Sequence, residues 1–135
     1  ALLRDHQGDR AASLILKTYK TRADRRLAAL YVQARLGADE RLNSSAVFKV
    51  LTDLIGEGDD RFDSHLVLAE AAINARVWGL ARTFLNRLMG QDVLTSPDGP
   101  LFCALMAMLE DQSGEDGQGP YWRQKQLALL TQSRV

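Results

Sequence analysis

The side chains best suited to chemistry are few and scattered. His6 and His65 are the only histidines, Cys103 is the only cysteine, and the methionines stand at 89, 106 and 108. A catalytic or ligating histidine needs a partner at a workable spacing, and neither histidine belongs to a His-x-x-x-His or Cys-x-x-Cys arrangement. Both read as structural or solvated. Haem ligation by His65 from a helix, with Met89, Met106 or Met108 as a soft partner, is conceivable coordination chemistry. Methionines at helical spacing are ordinarily core filler, however, and no Cys-x-x-Cys-His attachment motif is present. Ser13 and Ser44–Ser45 have no histidine at a suggestive distance in sequence. Asp59, Asp60 and Asp63 could collect a calcium ion only weakly, because they lack the ligand series of an EF-hand. Glu115–Asp116 reads as a solvated loop pair. Gly56-Glu57-Gly58 is not a dinucleotide fingerprint, and Gly114, Gly117 and Gly119 sit in an acidic spacer of the wrong charge to cradle phosphate. The sequence predicts no catalytic residue, no metal ligand and no cofactor.

The elements that carry these residues are helical throughout. The chain has 135 residues, 46% apolar and 25% charged, with 17 basic and 17 acidic side chains. That composition describes one globular domain with enough apolar surface for a core, and it excludes wholesale disorder. Zero formal net charge argues against a dedicated nucleic-acid binder. No apolar run approaches the roughly 20 residues of a membrane span, and no signal-peptide pattern is present. The chain opens Ala1-Leu2-Leu3 without an initiator methionine, which reads as a fragment of a longer parent.

Sparse β-branched residues, abundant Ala and Leu, and short Gly- or Asp-rich breaks predict about seven to eight helices. A stub ends near His6, closed by Gln7-Gly8-Asp9. Helices follow over about 10–20, 24–36 (opened by Asp24 as N-cap and stopped by Gly37), 43–56 and 62–75, then 78–90, 100–111 and 119–132. The 62–75 helix carries Leu66, Ala69 and Ile73 on one face and Leu68 and Ala72 on the next, an arc wide enough for contacts on two sides. Trp78 reads as a wedge lying against Gly79. Tyr121-Trp122 either pack back over the preceding helix or stand out as anchors for a partner.

An internal repeat distinguishes a stack of hairpins from an irregular bundle. Ala12, Ala46 and Ala81 recur at spacings of 34 and 35, each followed four residues on by Leu16, Val50 or Leu85. Ala34, Ala69 and Ala104 recur at 35. Small residues at fixed positions let two helices approach closely. The spacing resembles the 34-residue tetratricopeptide repeat, with the best copy over 62–95. There Leu68-Ala69 stands at the apolar–small pair and Ala81 at the small position of the second helix. Ala72 replaces the family's aromatic and Val93 its closing proline. The expected fold is an all-α, right-handed α-solenoid of antiparallel helix hairpins forming one domain over 1–135. It comprises a truncated first repeat (1–20), a second (24–56), a third (62–90) and a divergent C-terminal repeat (98–132). An irregular bundle is the alternative.

The segment His65–Arg82 resembles the central motif of the C-terminal helical-repeat region of bacterial HemY proteins. The resemblance extends to Ala28–Tyr31 with the Leu51–Leu54 helix and to Leu101–Glu110. It implies that this domain belongs to a protein anchored in the bacterial inner membrane through other segments and associated with protohaem (porphyrin) biosynthesis, the side of the membrane being undetermined. The expected role is a non-catalytic protein–protein interaction scaffold; a haem- or porphyrin-handling helical module or a small helical enzyme is the alternative.

With Ala69 as the small packed position, a concave groove would be lined by Leu66, Glu70, Ile73 and Asn74. A shift of 35 adds Tyr31 and Arg35 on one side and Leu101 and Leu105 on the other. The competing reading packs the apolar members into the core. A protein or peptide is the expected occupant of that groove. Charge is polarised: residues 1–35 hold eight basic and three acidic side chains, while residues 89–120 hold six acidic and no basic ones. The Arg22–Arg26 turn, near Lys17 and Lys20, would steer a partner or an anionic membrane surface, or would simply be solvated. Finally, an apolar outer face on helix 10–20, through Leu14, Ile15 or both, would favour a homodimer at the N-terminal end.

Overall fold

The computed structural model describes residues 2–114 and 117–132, with side chains from Gly8 onward. Among these residues the fold is all-α. The helices are α1 (Leu2–Thr21), α2 (Arg25–Arg35), α3 (Ser44–Ile55), α4 (Phe62–Asn74), α5 (Trp78–Met89), α6 (Gly99–Ser113) and α7 (Gly119–Gln132), with short 3-10 turns at Glu40–Leu42 and Val93–Thr95. Each helix packs on its neighbours in sequence, and second-neighbour contacts join α2 to α4, α4 to α6 and α1 to α3.

Local chemistry sets the helix ends. The Asp24 carboxylate accepts from the Arg26 amide at 2.8 Å, and the Asn43 side chain accepts from the amides of Ser45 and Ala46, so two N-termini have their orphan donors satisfied. Asp24 is also held down to about 2 by the side-chain and backbone bonds from Arg26. Gly56 (φ 76°) ends α3 in a conformation that only glycine adopts freely. Arg76 takes the same left-handed role after α4 (φ 62°), and the Val77 amide closes the turn on Ala72 O at 2.8 Å.

One expected break is absent: α1 runs unbroken through Gln7-Gly8-Asp9. A mid-helix glycine costs only about 1 kcal/mol, which packing readily offsets. Here it serves packing directly, since a Cβ at Gly8 would lie 2.9 Å from Ala34 O on α2. Gly8 lets two helices approach; it does not stop one. A Cβ built at Gly79 would meet nothing within 4 Å apart from its own chain neighbours.

Two core clusters result. Leu66, Ala69, Ile73, Leu85, Leu88, Phe102 and Leu109 form one, against which Trp78, Trp122 and Leu129 pack. Ala12, Tyr19, Ala28, Tyr31, Leu51 and Leu54 form the other, completed by Leu68 and Ala71. Helix α4 therefore contributes to both, as its broad apolar arc requires, and each large aliphatic it buries contributes about 1.5–3 kcal/mol. Trp122 meets the Phe102 ring edge-on at 5.7 Å, whereas Tyr121 stays half exposed.

Candidate functional site

Helices α2, α4 and α6 begin at Arg25, Phe62 and Gly99, 37 residues apart each time. In that register Ala28, His65 and Phe102 are equivalent, as are Tyr31, Leu68 and Leu105, and all six are buried. Arg25 ties the three helix starts together. Its amide donates to Asp63 Oδ2 at 3.1 Å and its guanidinium reaches Asp98 Oδ1 at 3.0 Å. Beyond this clamp α2 and α3 touch less extensively than α4 and α5 or α6 and α7. The 36–43 connection, with its 3-10 turn, is longer than the tight link between α4 and α5.

A half-open groove of about 360 Å³ lies between α2, α3 and α4. Ala28 and Val32 of α2, Val47 and Leu51 of α3, Leu66, Val67 and Ala71 of α4, and Leu101 of α6 supply its apolar lining. Arg25, Ala29, Gln33, Arg41, Glu70 and Asn74 complete it. Such a surface offers hydrocarbon contact, two carboxamides and charges of both signs, which is recognition chemistry.

Of the residues expected to form a groove, Leu66, Glu70, Asn74 and Leu101 line this one, Leu66 from its floor at 1% exposure. Tyr31, Ile73 and Leu105 are buried in the core clusters instead. Arg35 leaves the groove with Tyr31, donating to its hydroxyl at 2.7 Å and lying 5.5 Å over its ring. For Tyr31 and Arg35 the cause is register. A shift of 35 differs from the observed 37 by two residues, which is about 200° around a helix and so selects the opposite face. At 37, Leu66 and Glu70 correspond to Ala29 and Gln33, which do line the groove. The alanine spacings concealed this; the aspartates before α2 and α6, Asp24 and Asp98, carried it.

The other polar groups are engaged structurally. Arg61 donates to both oxygens of Asp59 (3.0 and 2.8 Å) and to the carbonyls of Tyr19 and Lys20 that end α1. Ser64 donates to Asp59 at 2.9 Å and bonds the Tyr19 hydroxyl at 2.8 Å. Burial pushes the Asp59 carboxyl up, but the bonds from Arg61 and Ser64 outweigh it and leave it below the usual carboxylate range. Burial raises the Tyr19 phenol despite the Ser64 bond. With Asp59 held by Arg61 and Asp63 by Arg25, the loop acids are not gathered for calcium, and no group of three potential metal ligands occurs among the described residues. His65 is buried against the Phe84 ring, neither ring nitrogen having a hydrogen-bond partner among the described residues. Cys103 is wholly buried and burial raises its thiol. Met89 and Met108 are exposed, and Met106 packs on the core.

Arg82 pairs with the buried Glu110 at 2.9 Å, and Arg123 pairs with Asp111. On the outer side of α1, Leu14 is 66% exposed, whereas Ile15 packs inward. The side chain of His6 and the pair Glu115–Asp116 lie outside the described residues. No helix among the described residues is long and apolar enough to cross a membrane. Compared with protein-family models, with curated proteins and with solved structures, the chain matches none.

Proposed function

We propose that this chain is a tetratricopeptide-like stack of right-handed helical hairpins that acts as a non-catalytic protein-interaction scaffold. The observation that carries the proposal is the half-open, apolar-floored groove between α2, α3 and α4, rimmed by exposed polar side chains. The uniform spacing of α2, α4 and α6 and their second-neighbour packing support the repeat arrangement, since a stack of like hairpins aligns its first helices on one side. An extended segment of another protein is the occupant such a groove suits. On the resemblance of His65–Arg82 to the HemY repeat region, we assign the parent protein to a bacterial inner-membrane setting connected with protohaem synthesis. The exposed Leu14 on α1 is the corresponding candidate for self-association at the N-terminal end.

Affinity purification from the source cells tests the interaction role. The wild-type domain and two folded variants, Ala29→Trp and Glu70→Arg, serve as baits. Proteins retained by the wild type and lost from both variants are the expected result. Identical retention by all three baits would remove the groove as the binding surface.

A further inference from the structure

The groove's rim narrows what can occupy it, an inference that rests on the interaction reading above. Several arginines are engaged in ion pairs: Arg25 with Asp98, Arg26 with Asp24, Arg61 with Asp59 and Arg82 with Glu110. Arg41 and Glu70 are not. Both are exposed, both line the groove, and neither side chain makes an ion pair or hydrogen bond among the described residues. They stand on different walls, Arg41 on the connection after α2 and Glu70 on α4. The same groove holds the apolar floor and the exposed carboxamides of Gln33 and Asn74. At about 360 Å³ the groove is near the low end of the roughly 300–1,000 Å³ typical of ligand sites. That space suits one or two large side chains rather than a whole docked helix.

We propose that the groove recognises an extended peptide segment in which one bulky apolar side chain lies between an acidic residue, facing Arg41, and a basic residue, facing Glu70. The apolar side chain fills the floor, the two carboxamides bond the segment's backbone, and the two charges fix its direction. Rim charges of this kind contribute mainly to specificity and orientation, because a like charge set opposite them is repelled. A segment of reversed polarity would meet repulsion at both ends, so direction along the groove is read as well as composition.

A random peptide display library panned on the folded domain tests this without any prior partner. The baits are the wild type, the double charge reversal Arg41→Glu/Glu70→Arg, and Ala29→Trp, each first shown to melt cooperatively. The wild type should enrich an acidic–apolar–basic consensus, and a synthetic consensus peptide should bind the reversal variant roughly tenfold more weakly. The reversal variant should enrich the same apolar position with its flanking charges exchanged. An apolar consensus that is the same for both baits would overturn the charge assignment and leave the interaction groove standing. No enrichment, or peptides that bind Ala29→Trp as well as wild type, would overturn the charge assignment and the groove together.

Discussion

Replacing Arg61 by alanine should be the most damaging single change in the polar framework. Its guanidinium does three things at once: it pairs both oxygens of Asp59, caps the last carbonyls of α1, and lies 5.2 Å over the Tyr19 ring. Removing it leaves the Asp59 side chain, only 8% exposed, with Ser64 as its remaining side-chain donor. Breaking a fully buried pair costs about 3–5 kcal/mol, and two lost charge-assisted bonds would add to that. Because 36% of the Arg61 side chain faces solvent, screening and water reduce the total, and about 2–4 kcal/mol is expected. For a chain of this size that lowers Tm by roughly 8–16 °C.

The pH dependence supplies a second arm. In the wild type the Asp59 carboxyl is depressed, so its contribution is fully present above the unfolded value near about 3.9 and is lost as pH falls through the lower folded value. Without Arg61, burial should raise the same carboxyl, so that protonation relieves the variant as pH falls. The stability difference measured by urea denaturation should therefore shrink between pH 7 and pH 4. The double variant Asp59→Asn/Arg61→Met should recover much of the loss, since it leaves no unpaired charge. A loss below about 0.5 kcal/mol, or one unchanged by pH, would refute the role assigned to this network.

Three further outcomes can be checked by thermal and chemical denaturation. His65→Leu should raise stability by about 1–2 kcal/mol, because it replaces a buried ring whose nitrogens find no partner with an apolar side chain of similar size; a drop in Tm would show that the imidazole is satisfied in solution. Ala69→Leu and Ala81→Leu, each at a position with no exposed surface, should cost about 1–3 kcal/mol by overpacking, while Ala75, partly exposed at the α4–α5 turn, should tolerate the same change. Gly8→Ala should lower stability although alanine is the better helix former by about 1 kcal/mol, because its Cβ would press on Ala34 O; a gain in Tm would mean that α1 and α2 lie farther apart.

How far the sequence reaches can be judged from these same residues. Helices α2 to α7 are legible to within two residues, because amphipathic spacing and local stops such as Asp24, Gly37 and Gly56 act over short range. Gly8 was not legible as a packing residue: the same glycine reads as a stop from one dimension and as a helix contact in three. The 3-10 turns carry no hydrophobic period to betray them. The groove was half legible. Leu66, Glu70 and Asn74 follow from the amphipathic pattern of one helix, and the 35-residue shift found Leu101 as well, but the same shift landed on Tyr31 and Leu105, which turn inward. The Tyr19–Asp59–Arg61–Ser64 network spans more than 40 residues of sequence, and no local pattern announces such a bond.

The central claim, that another protein occupies the groove between α2 and α4, is tested most directly by site-specific photo-crosslinking in the source cells. A benzophenone amino acid placed at Gln33 or at Asn74, both exposed at the groove, should yield a discrete protein adduct that disappears when Glu70→Arg is added. The same amino acid at Leu127, exposed on α7 away from the groove, should yield none. Adducts from Leu127 with none from Gln33 or Asn74 would contradict the account.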